Sequence, residues 1–129
     1  MSTNPAPPDA PQKHLLVPLA VEDVAALGGD AEQLAALLAT ALHGLALLRT
    51  GRATANDLAA AIDGTTGLLE RLEAVRDASL RQPVARDISH ADLATAMHLE
   101  SRATAQSRRR TLLKKPPGEL EQWATGTTG

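Results

Sequence analysis

Cysteine, phenylalanine and tyrosine are absent from these 129 residues, and Trp123 is the sole aromatic side chain. Without cysteine there is no disulfide framework, no thiolate zinc site and no cysteine nucleophile, and a reducing compartment suits the chain. With so few rings, β-sandwiches and barrels lose the residues that fill their pleats. Domains that stack bases on aromatic platforms, such as RRM and single-strand-binding OB folds, are disfavoured for the same reason. No apolar run approaches the ~20 residues of a membrane span. The first residues lack the basic and apolar regions of a secretory signal. The expected location is therefore the cytoplasm, with no membrane partner. Signatures of catalysis are missing too: no nucleophile elbow, no GxxxxGKS phosphate loop and no HExxH. Asp57, Asp63, Glu70, Glu73 and Asp77 read as the solvated face of a helix. His90 and His98 have no third ligand nearby. The expectation is a non-enzyme with no metal and no cofactor.

What is there is alanine and leucine at helical spacing, which predicts an all-α fold: an N-terminal antiparallel helical hairpin followed by a C-terminal helix-turn-helix. Residues 1–12, rich in proline and polar groups, are expected to form a disordered tail, and 125–129 a flexible one. His14–Ala20 is expected to pack on the helices as extended chain, followed by a short helix over Val21–Leu27 that Gly28 and Gly29 stop. The first long helix is predicted from Asp30, as N-cap, to about Arg49, with Leu34, Leu37, Leu38, Ala41, Leu42, Leu45 and Leu48 as its apolar stripe and Gly51 as its stop. A second is predicted from Thr54 or Ala55 to about Leu80, striped by Leu58, Ile62, Leu69, Leu72 and Val75, with a bend at Gly64 and an end before Pro83. Residues 13–82 thus form the hairpin and 83–124 a second unit, in which Leu120 and Trp123 dock a last turn.

The net charge of −2 hides a division along the chain. Met1–Leu80 holds 5 basic and 10 acidic residues, whereas Arg81–Lys115 holds 8 basic and 3 acidic. One basic surface on an otherwise acidic protein points to an anionic partner.

The segment Ile88–Leu113, ISHADLATAMHLESRATAQSRRRTLL, carries the functional signal. Ser89 with Asp92 opens a short helix to Met97, whose inner side is Leu93, Ala96 and Met97 and whose small crossing residue is Ala94. His98–Ser101 is a break in which Leu99 plugs the core and His98 takes the place usual for glycine, one residue longer than the tightest turn. Ser101 caps a second helix, Arg102–Lys114, closed by Pro116 and Pro117. Either Ala103 or Ala105 faces inward, and Leu112 and Leu113 anchor the far end. These 26 residues resemble the helix-turn-helix of small DNA-binding transcriptional regulators from high-GC, actinobacterial-type bacteria.

The resemblance implies a sequence-specific regulator of double-stranded DNA in the nucleoid. The second helix would enter the major groove, where arginine pairs with guanine and glutamine with adenine. Arg102, Thr104 and Gln106 would approach the bases, and the helix N-terminus at Ser101 would offer N–H groups to a phosphate. Arg108, Arg109, Arg110, Lys114 and Lys115 would meet phosphates. Two other functions fit the same residues: a non-enzymatic helical adaptor between proteins, and a nucleoid binder without base preference. Such readers commonly pair over two half-sites, and the leucine excess of the hairpin exceeds what one helix pair needs. A homodimer is therefore expected through Leu37, Leu38, Leu42, Leu45, Leu48, Leu69 and Leu72, the other possibility being a monomer that folds this surface onto itself.

Overall fold

Two long helices built from alanine, leucine and glycine dominate the computed structural model, which describes residues 13–126. Six α-helices follow one another: α1 (Val21–Leu27), α2 (Asp30–Thr50), α3 (Ala55–Arg81), α4 (His90–Ala96), α5 (Arg102–Leu113) and α6 (Glu119–Ala124). A 3-10 segment, Pro83–Asp87, joins α3 to the α4 region, and there is no strand among the described residues. The fold is all-α. The tail predicted over 1–12 lies outside the described residues, as do the last three positions of the one predicted over 125–129. Thr125 and Gly126 are part of an ordered helix end, where the Gly126 N–H bonds the Trp123 carbonyl at 3.1 Å.

Local chemistry sets the helix ends. Gly51, at φ 67°, closes α2 by donating its N–H to the Leu47 and Leu48 carbonyls, a left-handed geometry that glycine adopts without a Cβ clash. At the start of α3 the Thr54 hydroxyl accepts from the Asp57 N–H at 3.1 Å, and Asp57 Oδ2 accepts from the Thr54 N–H at 3.0 Å. The Thr54 N–H, then its hydroxyl, hold the Asp57 carboxyl below its ordinary range. Asp30 is the first residue of α2, and Gly29 stands at the N-cap position assigned to Asp30 by sequence.

Small residues bring α2 and α3 together. A Cβ on Gly44 would lie 2.7 Å from Ala61 Cβ, one on Gly64 2.5 Å from Thr40 Cγ2, and one on Gly67 3.4 Å from Leu37. The pairing rises on one helix as it falls on the other, so the two run antiparallel. Gly64 was expected to bend α3. It is buried in an unbroken helix instead, because close approach to Thr40 gives the missing side chain a use.

The predicted stripes need correction for the same reason. The inner line of α2 is Leu34, Leu37, Ala41, Gly44 and Leu47, while Leu38, Leu42, Leu45 and Leu48 are exposed. On α3 the inner line is Ala61, Gly64, Leu68, Ala74 and Ala78, and all five residues of the predicted stripe, Leu58, Ile62, Leu69, Leu72 and Val75, are exposed. Leu15, Leu16, Val17 and Leu19 do not pack on the helices either, Leu16 being 91% exposed. Helix α2, with 21 residues, is long and apolar enough to cross a membrane by length and composition, although its apolar residues are interrupted by polar ones.

Helix α6 closes the lower end of α3. Arg81 Nε donates to Glu121 Oε1 in an ion pair whose side chains are largely shielded from solvent, and Arg81 Nη1 donates to the Lys115 carbonyl at 2.6 Å. This one arginine fixes both α6 and the end of α5 to α3. Half-buried Leu120 and Trp123 lie on the docked helix.

Candidate nucleic-acid interface

The best-packed part of the molecule is where α5 crosses α4. Ala105 of α5 is 0% exposed, and with Leu93 and Ala94 of α4 it forms a buried cluster against which Leu80, Met97 and Leu99 pack. Alanines at 94 and 105 let the two helix backbones approach, and Leu93 fills the space beneath. Of the two alanines open to sequence reasoning, Ala105 is the inward one and Ala103 is exposed. Ala96, expected inside, is exposed.

The turn between the helices is fixed by its own hydrogen bonds. His98 N–H bonds the Thr95 carbonyl at 3.1 Å, and Leu99 N–H bonds the Ala94 carbonyl at 2.8 Å. This reciprocal pair is a Schellman ending, in which the residue after the helix turns left-handed. His98 does so at φ 57°, as the sequence reading required of it. The bond brings Leu99 back onto the cluster beside Ala94. Past the turn, the Ser101 hydroxyl accepts from the Thr104 N–H and stands 3.0 Å from the Thr104 hydroxyl. Both hydroxyls of the expected DNA-binding set are therefore engaged in capping α5.

With Ala105 buried and Arg109 and Leu112 half-buried, the inner line of α5 is defined. At 3.6 residues per turn the opposite line is Ala103, Ser107, Arg110 and Lys114, with Gln106 on one shoulder and Thr104 and Thr111 on the other. Arg102 is exposed at the N-terminal end, and Arg108 and Lys115 are exposed toward α3. The side chains of Arg102, Arg108, Arg110, Lys114 and Lys115 make no ion pair or hydrogen bond among the described residues, and no acidic residue interrupts the chain from Arg102 to Pro117. Five cations thus line one short helix and its end, none of them ion-paired among the described residues, with Asp77 of α3 bordering the same cleft as Arg108 and Lys115. Among the described residues no group of three His, Asp or Glu side chains could hold a metal ion.

Arg109 departs from the group in which sequence placed it. Its Nη2 donates to the carbonyls of Ala85 and Ile88, at 3.3 and 3.4 Å, and its Nε is buried. It is a strut between α5 and the chain entering α4, turned away from the exposed cations. Arg109→Ala is expected to lower unfolding free energy by about 2 kcal/mol, through lost stem packing and the loss of the Arg109 donor to the Ile88 carbonyl, the Ala85 carbonyl keeping the Ile88 N–H. Urea titration measures this, and a change below ~0.5 kcal/mol would show that the strut carries no load. Leu113 is exposed, so of the two leucines expected to anchor the end of α5 only Leu112 does so. Sequence reasoning overlooked Ser107, the middle of the outward line; its signal was the 3–4 spacing from Ala103 to Arg110.

No protein-family profile matches the chain, and comparisons with curated proteins and with solved structures yield no match.

Proposed function

We propose that the chain binds double-stranded DNA as a helix-turn-helix transcriptional regulator, with α4 as the supporting helix and α5 as the recognition helix. The reading rests on one observation: α5 buries Ala105 against α4 while its exposed surface carries cations that form no ion pair among the described residues. An α-helix of 12 residues, about 18 Å long, suits a major groove about 12 Å wide. Ala103 and Ser107 are small enough to let the helix axis come close to the base edges. Arg102 and Gln106 are then the base readers, through guanine and adenine respectively. Arg108, Arg110, Lys114 and Lys115 serve phosphates. Ser101 and Thr104 act through the cap that orients the helix N-terminus. Such a protein works at the nucleoid, in the cytoplasm, and needs no cofactor.

In vitro selection from random duplex DNA tests this. The expected result is enrichment of a short motif, which Arg102→Ala and Gln106→Ala each relax at one position by about 1–3 kcal/mol. Retention of DNA without any enriched motif would replace the regulator with a sequence-independent nucleoid binder. Absence of retention at low salt would leave an adaptor between proteins.

A further inference from the structure

Most of the large side chains of the α2–α3 pair lie outside its seam, where Leu34, Leu37, Leu47 and Leu68 are only half-buried. In this pair the buried residues are Gly44, Gly64, Ala74 and Ala78, and none of the leucines is among them. A helical pair normally hides its large residues where the helices meet and leaves small ones outside. Here the arrangement is reversed, so the volume that should fill a core is displaced to one flank.

That flank is a single face. Leu38, Leu42 and Leu45 lie about 80–140° round α2 from the line through Leu37, Ala41 and Gly44. Ile62, Leu69 and Leu72 lie about 80–160° round α3 from Gly64, in the same rotational sense. Because the helices are antiparallel, equal rotations turn both sets to the same side of the pair. The contacts of Gly44 with Ala61 and of Gly64 with Thr40 put Leu42 level with Ile62. Every one of the six is exposed, Ile62 by 66% and Leu69 by 55%. The other flank is polar and carries His43, Asn56, Asp63, Glu70 and Asp77.

We infer that this face receives a second copy of the chain, two α2–α3 pairs closing into a four-helix bundle about a two-fold axis. The face is about 20 Å wide across two helices and some 25 Å long from Leu58 to Val75, the scale of a specific interface burying about 800 Å² per partner. Its charges lie toward its ends, Arg49 on α2 and Arg76 on α3, the latter paired with Glu73 and Asp77 of its own helix, and what the apolar stretch between them lacks, a facing layer of leucine side chains, is what another copy supplies. An anionic membrane fits less well. Between Asp30 and Arg81 there are seven acidic and five basic side chains, and inserting α2 into a bilayer would separate Gly44 from Ala61 and Gly64 from Thr40. Of the residues that sequence placed at the interface, Leu37 belongs to the internal seam instead. Leu58 and Ile62 join the face.

Light scattering on the purified full chain, without DNA, is expected to give twice the 13.5 kDa chain mass at micromolar concentration. Thermal unfolding should move to higher temperature as concentration rises, because dissociation accompanies unfolding. Combining Leu42→Glu with Ile62→Glu should return the mass to 13.5 kDa with the helical circular dichroism retained, whereas Asp63→Lys on the polar flank should leave the dimer intact. If the double variant loses its helices, the concentration dependence of the wild-type Tm decides. A 13.5 kDa wild type whose Tm ignores concentration overturns the proposal. So does a double variant that remains dimeric, or a monomer that floats with phosphatidylcholine vesicles. No measurement here contains DNA, so the dimer and the DNA reading fail or survive separately.

Discussion

Replacing Arg108, Arg110 and Lys114 together by alanine is expected to weaken DNA binding about 500-fold at 0.1 M salt and to flatten its log–log salt dependence by about three. The magnitude follows from counterion release. Each phosphate neutralised contributes about 0.9 decades of affinity per decade of salt, so three contacts lose roughly 2.7 decades between 1 M and 0.1 M. The fold should survive, because all three side chains are exposed and none bonds within the described residues. The loss of positive charge near the end of α5 removes a favourable dipole interaction of only about 0.3–1 kcal/mol. Arg109→Ala gives the opposite signature: stability falls, yet the salt slope of the remaining folded protein is unchanged. Fluorescence anisotropy across a salt series, beside urea titration of both variants, separates the two. A triple variant with the wild-type slope would mean that α5 does not face the duplex.

That contrast also marks how far the residues could be read unaided. Helix positions were legible because glycine, proline and capping side chains punctuate this chain: Gly51 closes α2, Thr54 opens α3, and Ser89 and Ser101 cap α4 and α5 as their sequence contexts required. The left-handed turn at His98 was legible from the need for a tight reversal before Ser101. Facing was not. In α2 and α3 alanine, glycine and leucine recur at nearly every phase, and counting leucines selected the flank rather than the seam. A seam made by close backbone approach is marked by glycine and threonine, which hydropathy does not weigh; Thr40 against Gly64 is the telling pair. The arginine run misled for a related reason. Three adjacent arginines span some 200° of a helix, so at least one must turn toward the fold. Which one depends on whether Ala103 or Ala105 faces inward, a choice the sequence left open; with Ala105 buried, Arg109 and Leu112 follow on the same line. Long-range ties such as Arg81 to Glu121, 40 residues apart, leave no trace in local pattern.

The second large effect is on the fold beneath α5. Leu93→Ala is expected to lower unfolding free energy by about 3 kcal/mol, since a buried leucine leaves a cavity that its neighbours fill only in part. Leu93 is 2% exposed and is the one large side chain in a cluster otherwise made of Ala94 and Ala105. Ala94 and Ala105 have no rotamers with which to fill the cavity, but Leu80, Met97 and Leu99 pack against the cluster and can move in, which places the loss in the lower part of the usual range. Leu93→Met, nearly equal in volume, should cost less than about 1.5 kcal/mol. The damage should also be local. Amides of α4 and α5 should exchange with solvent much faster, while those in the middle of α2, held by the separate seam around Gly44, keep their protection. DNA binding should fall with the population of ordered α5 and recover at high DNA concentration, because binding draws the equilibrium back. Hydrogen exchange with and without duplex measures both effects. Uniform loss of protection through α2 and α5 alike would show one cooperative unit, in which α3 transmits the cavity at Leu93 to the whole helical pair.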